Sequence, residues 1–149
     1  FELVIMLCEG AFSLMENDEM NFQILSNASK ALKPKGKLIF TTLNGLFPLF
    51  HSVQEFMDSA TLEGNAKYSS NSFDLMTFRD RHTMNIEDDL GHTKELECDE
   101  RYYVPSEITW LLKTLDFQII DIFAAKLGAF SRQDRLTTED LEMLVIAEK

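Results

Sequence analysis

A chain of 149 residues, 45% hydrophobic and 26% charged, reads as one globular domain long enough to bury a core. Its net charge of −11 repels nucleic acid and anionic membranes, and no Lys/Arg cluster offsets it. No apolar run approaches the length of a membrane span, and nothing reads as a signal peptide. Cys8 and Cys98 lie far apart, without a disulfide framework or zinc spacing, which points to a reducing, cytoplasmic compartment. His51, His82 and His92 show no ligand-like grouping, so no metal site is expected and the histidines read as solvated surface.

The chain enters on residues 1–8, FELVIMLC, an apolar run that predicts a strand covered on both faces. Its carboxyl end leads into Glu9, Gly10, Ala11 and Phe12, the place where open α/β sheets bind ligands. Glu9 reads either as a solvated loop carboxylate or as one that holds a cofactor or substrate amine or acts as a base. Gly10 permits close backbone approach, and Phe12 either stacks on a ring or packs locally. Phe22, Leu25, Ala28 and Leu32 then form one helical stripe, with Asp18 as the predicted cap. Pro34 stops that helix, Gly36 is expected to take the positive φ of the turn, and Leu38 begins a second buried strand. Strand, helix and strand make a βαβ unit.

Asn44-Gly45 marks a turn at the carboxyl end of the second strand. Leu46, Leu49, Phe50, Val53, Phe56, Met57 and Ala60 predict one core helix with Pro48 in its first turn, its start near Phe47 reading as a lid. Residues 61–71 read as a polar linker. From residue 72 to residue 103 the period changes to two, giving strands at 72–79 and 81–89, a turn at 89–92 and a returning strand. Such an antiparallel insertion shapes specificity on a generic core, and Arg79, Arg101, Tyr102 and Tyr103 are its candidates for facing a pocket. Strand alternation sends one of the two tyrosines inward and the other outward. Each arginine reads equally as a paired surface charge. Pro105-Ser106 opens a helix with Ser106 as cap and Ile108, Leu111, Leu112 and Leu115 as its stripe. Residues 117–124 and 141–147 are the last strands; no crossover helix joins them, so they should be antiparallel.

This order resembles the class I S-adenosylmethionine-dependent methyltransferases, and specifically their C-terminal half. Phe1-Glu2-Leu3-Val4 resembles the family's fourth-strand motif, and Ala31-Leu32-Lys33-Pro34-Lys35-Gly36-Lys37-Leu38 its approach to the fifth strand. Tyr102-Tyr103-Val104-Pro105-Ser106-Glu107-Ile108, followed by Leu111-Leu112 and Asp116-Phe117, resembles the later helix and the entry to the next strand. Lys35 and Asp116 stand where the family has glycine, which strains two turns, and Glu2 stands where it has aspartate. The fold expected is α/β: part of a Rossmann-like sheet over residues 1–149, with parallel strands, an antiparallel C-terminal hairpin and the antiparallel insertion at about 72–103. The family's glycine-rich cofactor loop has no counterpart, because the glycines at 10, 36, 45, 64, 91 and 128 are isolated. The chain is therefore expected to be a fragment that supplies only the C-terminal half of the site.

The resemblance implies S-adenosylmethionine as cofactor, held on this side by Leu7, Cys8, Glu9, Gly10 and Phe12, with Glu9 orienting or deprotonating the nucleophile. Asn44, Phe47, Arg79, Tyr102 and Tyr103 are the candidate substrate contacts. The acidic composition favours a small-molecule acceptor over nucleic acid. Without its family neighbour the first strand becomes an edge, so self-association through that strand or the adjoining sheet face is expected. Two rival readings are a non-catalytic fragment acting by association and a nicotinamide-dependent Rossmann oxidoreductase, whose final strand would be parallel.

Overall fold

The computed structural model describes residues 1–8, 11–60, 66–126 and 130–149, with backbone alone for Met57, Ala60 and residues 66–71. In chain order the elements are β1 (Leu3–Met6), α1 (Asp18–Ala31), β2 (Lys37–Leu43), a 3-10 turn (Phe47–Leu49) and α2 (Val53–Ala60). The insertion follows as β3 (Ala66–Asp74), β4 (Arg79–Glu87) and β5 (Thr93–Arg101). Then come α3 (Pro105–Thr114), β6 (Gln118–Ala124) and β7 (Glu142–Glu148).

The main sheet has the order β1-β2-β7-β6. β1 and β2 are parallel across α1, as a βαβ unit requires; β7 is antiparallel to both β2 and β6. Leu25 and Ala28 of α1, Leu32 at its C-cap, Leu38 and Phe40 of β2, Ile108 and Leu112 of α3, and Val145 and Ala147 of β7 form one core. Leu43, Phe47, Val53 and Tyr102 form a smaller one. The insertion is a separate three-stranded antiparallel sheet, β3-β4-β5. Among the described residues no helix is long and apolar enough to cross a membrane.

Several local expectations change for identifiable reasons. Asn17, not Asp18, caps α1, its side chain accepting the Met20 N–H at 2.9 Å. In the turn after α1 the positive φ falls on Lys35, at 65°, and not on Gly36. Gly36 is required for a different reason: a Cβ there would lie 2.8 Å from the Lys33 carbonyl oxygen. The single helix expected over 46–60 is divided. Pro48 sits in the 3-10 turn, and Ser52 Oγ accepts the Glu55 N–H at 3.2 Å at the start of α2. Val104, not Ser106, holds the N-cap position of α3, so Pro105 takes the first helical position and Glu107 reaches back to the Val104 N–H.

The strand expected at 72–79 is interrupted by a hairpin turn at 75–78. Asp74 Oδ1 accepts the Met76 N–H at 2.8 Å, and Phe78 takes φ 53°. The strand instead reaches back to Ala66, into the segment read as linker; residues 61–65 of that segment lie outside the described residues. The turn before β5 forms as expected, with Asp88 Oδ1 accepting from Leu90 and His92 and Gly91 at φ 82°.

β1 is not covered on both faces. Among the described residues it pairs with β2 alone, and its side chains alternate: Val4 and Met6 turn to the core, while Leu3 and Ile5 are 47% and 54% exposed. No described element packs over that second face, which is why an unbroken apolar run gives a half-exposed strand.

Candidate active site

The carboxyl ends of β1 and β2 open on a cleft of about 580 Å³, within the range of small-molecule sites. Cys8, just past β1, and Thr41 of β2 form its floor; Phe56 of α2 and Phe130 form apolar walls. The segment 139–142, leading into β7, contributes Glu139, Asp140 and Glu142. Lys126, the only lining cation among the described residues, pairs with Asp134 at 3.6 Å. The cleft therefore combines an apolar interior with an excess of carboxylates.

A second pocket of about 410 Å³ adjoins it, sharing Phe56 and Glu139. Phe47 is its base. The ring stacks on His51 at 4.8 Å and meets Phe56 edge-on at 5.2 Å. His51 Nε2 lies 3.1 Å from Glu139 Oε1.

The candidate site residues separate into groups. Glu9 and Gly10 lie outside the described residues. Leu7 is exposed, and Cys8 lines the cleft. Phe12 is in the core, stacked on Tyr103 at 5.0 Å and edge-on to Phe40 at 5.4 Å. Asn44 is fully buried at the end of β2. Its amide donates to the Thr137 and Asp140 carbonyls at 3.0 and 2.8 Å and accepts the Leu46 N–H at 3.1 Å. Phe47 belongs to the second pocket.

Arg79 is buried and occupied. It donates to Asp99 at 2.8 Å, to Asp18 at 3.1 Å and to the Met15 carbonyl at 3.1 Å. Burial works against its charge, but hydrogen bonds to Asp99 and Asp18 outweigh it and raise its pKa. Arg101 donates to the same Asp18 at 3.3 Å and to Glu107, and its guanidinium lies 4.4 Å from the Tyr103 ring centre.

Tyr102 and Tyr103 do not alternate: both are buried, at 1% and 2%. β5 ends at Arg101, so the period of two stops before them; Tyr103 instead bridges to Asn44. Tyr102 enters the smaller core and Tyr103 the larger, where burial first, and then the Asp18 charge, push its phenol pKa far up.

Two histidine environments escaped the sequence reading. His51 is stacked and paired, as above. His82 is buried, with Nδ1 3.0 Å from Asp80 Oδ2, and Asp80, His82 and Glu100 bring donor atoms within 4.8 Å of one another. The signal was present in outline: Asp80 and His82 are two apart on β4, and Glu100 faces Asp80 across the ladder. Only the strand register makes it a group.

The sheet order, the antiparallel β7 beside β2 and the cleft at the carboxyl edge define the fold of part of a class I S-adenosylmethionine-dependent methyltransferase domain. Solved structures agree. The CcbJ methyltransferase of Streptomyces caelestis matches with a TM-score of 0.70 at 14% identity, over 98% of this chain and 59% of its own. An S-adenosylmethionine-dependent methyltransferase of Clostridium acetobutylicum matches at 0.65 and 14% identity, over 99% and 58%. S-adenosylmethionine-bound CalS10, an amino pentose methyltransferase of Micromonospora echinaspora, matches at 0.59 and 11%, over 99% and 58%. The chain thus spans less than two thirds of the length of these proteins. No protein-family profile and no curated protein matches the sequence. The antiparallel β7 also goes against the nicotinamide reading, which needs a parallel final strand.

Proposed function

We propose that this chain forms part of the site of an S-adenosylmethionine-dependent methyltransferase acting on a small-molecule acceptor. The observation that carries the reading is the cleft at the carboxyl ends of β1 and β2, in a sheet with this fold. The residues present suit the cofactor. The cleft's size fits a small ligand, its apolar walls suit carbon chains, and Glu139, Asp140 and Glu142 suit a cationic sulfonium. S-adenosylmethionine supplies an activated methyl group on that sulfonium. The protein's tasks are then alignment and exclusion of water, which need no nucleophilic side chain. Phe56 and Phe130 supply apolar lining to the cleft, and Cys8 and Thr41 line it as well. Glu9, next after Cys8 in the sequence, is proposed to orient or deprotonate the nucleophile. Glu9→Gln in the full enzyme should lower kcat and leave cofactor affinity unchanged; equal turnover would return Glu9 to solvent.

Thiol labelling tests the placement directly. Cys8 is exposed in the cleft, whereas burial, and then Glu100, push the half-buried Cys98 thiol up. Iodoacetamide should therefore label Cys8 first. Millimolar S-adenosylmethionine should slow Cys8 and leave Cys98 unchanged. An unaltered Cys8 rate would count against the cofactor lying in this cleft.

A further inference from the structure

The pocket beside the cleft has a composition of its own. Phe47, Phe50 and Phe56 supply three aromatic rings, and Glu55 and Glu139 supply two carboxylates. No lysine or arginine lines it among the described residues. His51 is stacked on Phe47 and held by Glu139, so one wall is anchored to the opposite rim. Aromatic faces attract a cation with apolar substituents, and nearby carboxylates add to that attraction. An anion gains nothing from such a lining.

We infer that this pocket binds an alkylammonium group, and that it is the acceptor end of the site. The shared Phe56 and Glu139 make it continuous with the cleft, so an amine bound here as its ammonium would lie next to the proposed methyl donor. Before transfer the ammonium must give one N–H proton to a lining carboxylate; the freed lone pair then takes the methyl, and the sulfonium leaves as a neutral thioether. The name acceptor rests on the proposed function; the affinity for an alkylammonium group does not. The backbone supports a preformed pocket. The His51 N–H donates to the Phe47 carbonyl at 3.0 Å, and Glu139 lies in a loop whose Thr137 N–H and hydroxyl both donate to Asp140.

The test uses the full chain and two probes of one shape, choline and uncharged 3,3-dimethylbutan-1-ol, followed by amide chemical shifts. Choline should perturb residues 47–56 and 139 and bind at least about tenfold more tightly than the alcohol, the ratio a cation–π contribution of about 1.4 kcal/mol gives. Glu55→Gln changes an exposed side chain outside the His51–Glu139 contact, should leave the pocket wall in place, and should weaken choline while leaving the alcohol unchanged. Equal binding of the two probes, no choline binding, or shifts confined to other residues would each overturn the inference. Cys8 protection by S-adenosylmethionine is read separately, so failure of the cofactor placement and failure of the amine pocket are distinguishable.

Discussion

Two buried arginines share one carboxylate. Arg79 and Arg101 come from neighbouring strands of the insertion, and both reach Asp18 at the start of α1. Removing its charge leaves two desolvated guanidinium groups short of an acceptor. Asp18→Asn should cost about 2 kcal/mol, against about 1 kcal/mol for losing the true cap in Asn17→Ala. Urea unfolding of both variants decides it, and a smaller loss for Asp18→Asn would mean that Asp18 is a surface charge. Tyr103 makes a pH prediction. Above the ordinary phenol pKa of about 10 the unfolded chain releases this proton while the folded chain holds it. The unfolded state then binds fewer protons, so stability falls as pH rises, by up to about 1.4 kcal/mol per pH unit. Below pH ~10 the group is neutral in both states and contributes nothing to the slope. Tyr103→Phe should flatten the alkaline limb; an unchanged limb would place the phenol in water. At this scale the sequence pointed to individual side chains but not to their partners. The alternation expected of Tyr102 and Tyr103 fails because the strand ends before them, and Asp18 is 61 and 83 residues from the arginines it holds.

Elements were legible where one periodicity governs a whole segment. The stripe of α1, the stripe of α3 and the apolar β2 and β7 all form as their patterns require. Boundaries were misplaced where a side chain bonds to backbone nearby. Asn17, Ser52 and Asp74 each relocate a start or a turn, and none of them alters the hydrophobic pattern. The two strained turns are directly testable. Lys35 and Asp116 hold φ of 65° and 63°, where a side chain is disfavoured. Lys35→Gly and Asp116→Gly should each raise stability by about 0.5–1 kcal/mol, net of the added freedom of the unfolded chain. Gly36→Ala should destabilise, since its Cβ meets the Lys33 carbonyl. A thermal scan showing Lys35→Gly below the parent would mean that the turn carries no strain.

For the molecule as a whole, β1 is the open side. Its outer edge is unpaired among the described residues, and Phe1, Leu3, Ile5 and Leu7 lie exposed along it. Edges of this kind template pairing with another chain. We propose that isolated chains associate there, and that S-adenosylmethionine binds such a chain weakly, since the sequence contains no glycine-rich loop. Light scattering over a concentration series should show growth that Ile5→Lys suppresses. A monodisperse monomer would remove the proposal. The order of elements could be read from the sequence, whereas the two adjoining pockets could not. They depend on segments 47–56 and 137–142 meeting, and nothing local in either segment announces the other.

That meeting is arranged by Asn44. Its carbonyl receives the Phe47 N–H, its amide oxygen the Leu46 N–H, and its amide nitrogen grips the loop that carries Glu139. One buried amide thus sets the gap between the aromatic wall and the acidic rim, like the fixed jaw of a caliper. On the proposed reading, selectivity for acceptor size is adjustable from behind the pocket, by a residue that is itself fully buried. Asn44→Asp turns a donor pair into an acceptor against two carbonyl oxygens, so it should open the gap and shift preference toward bulkier ammonium ions.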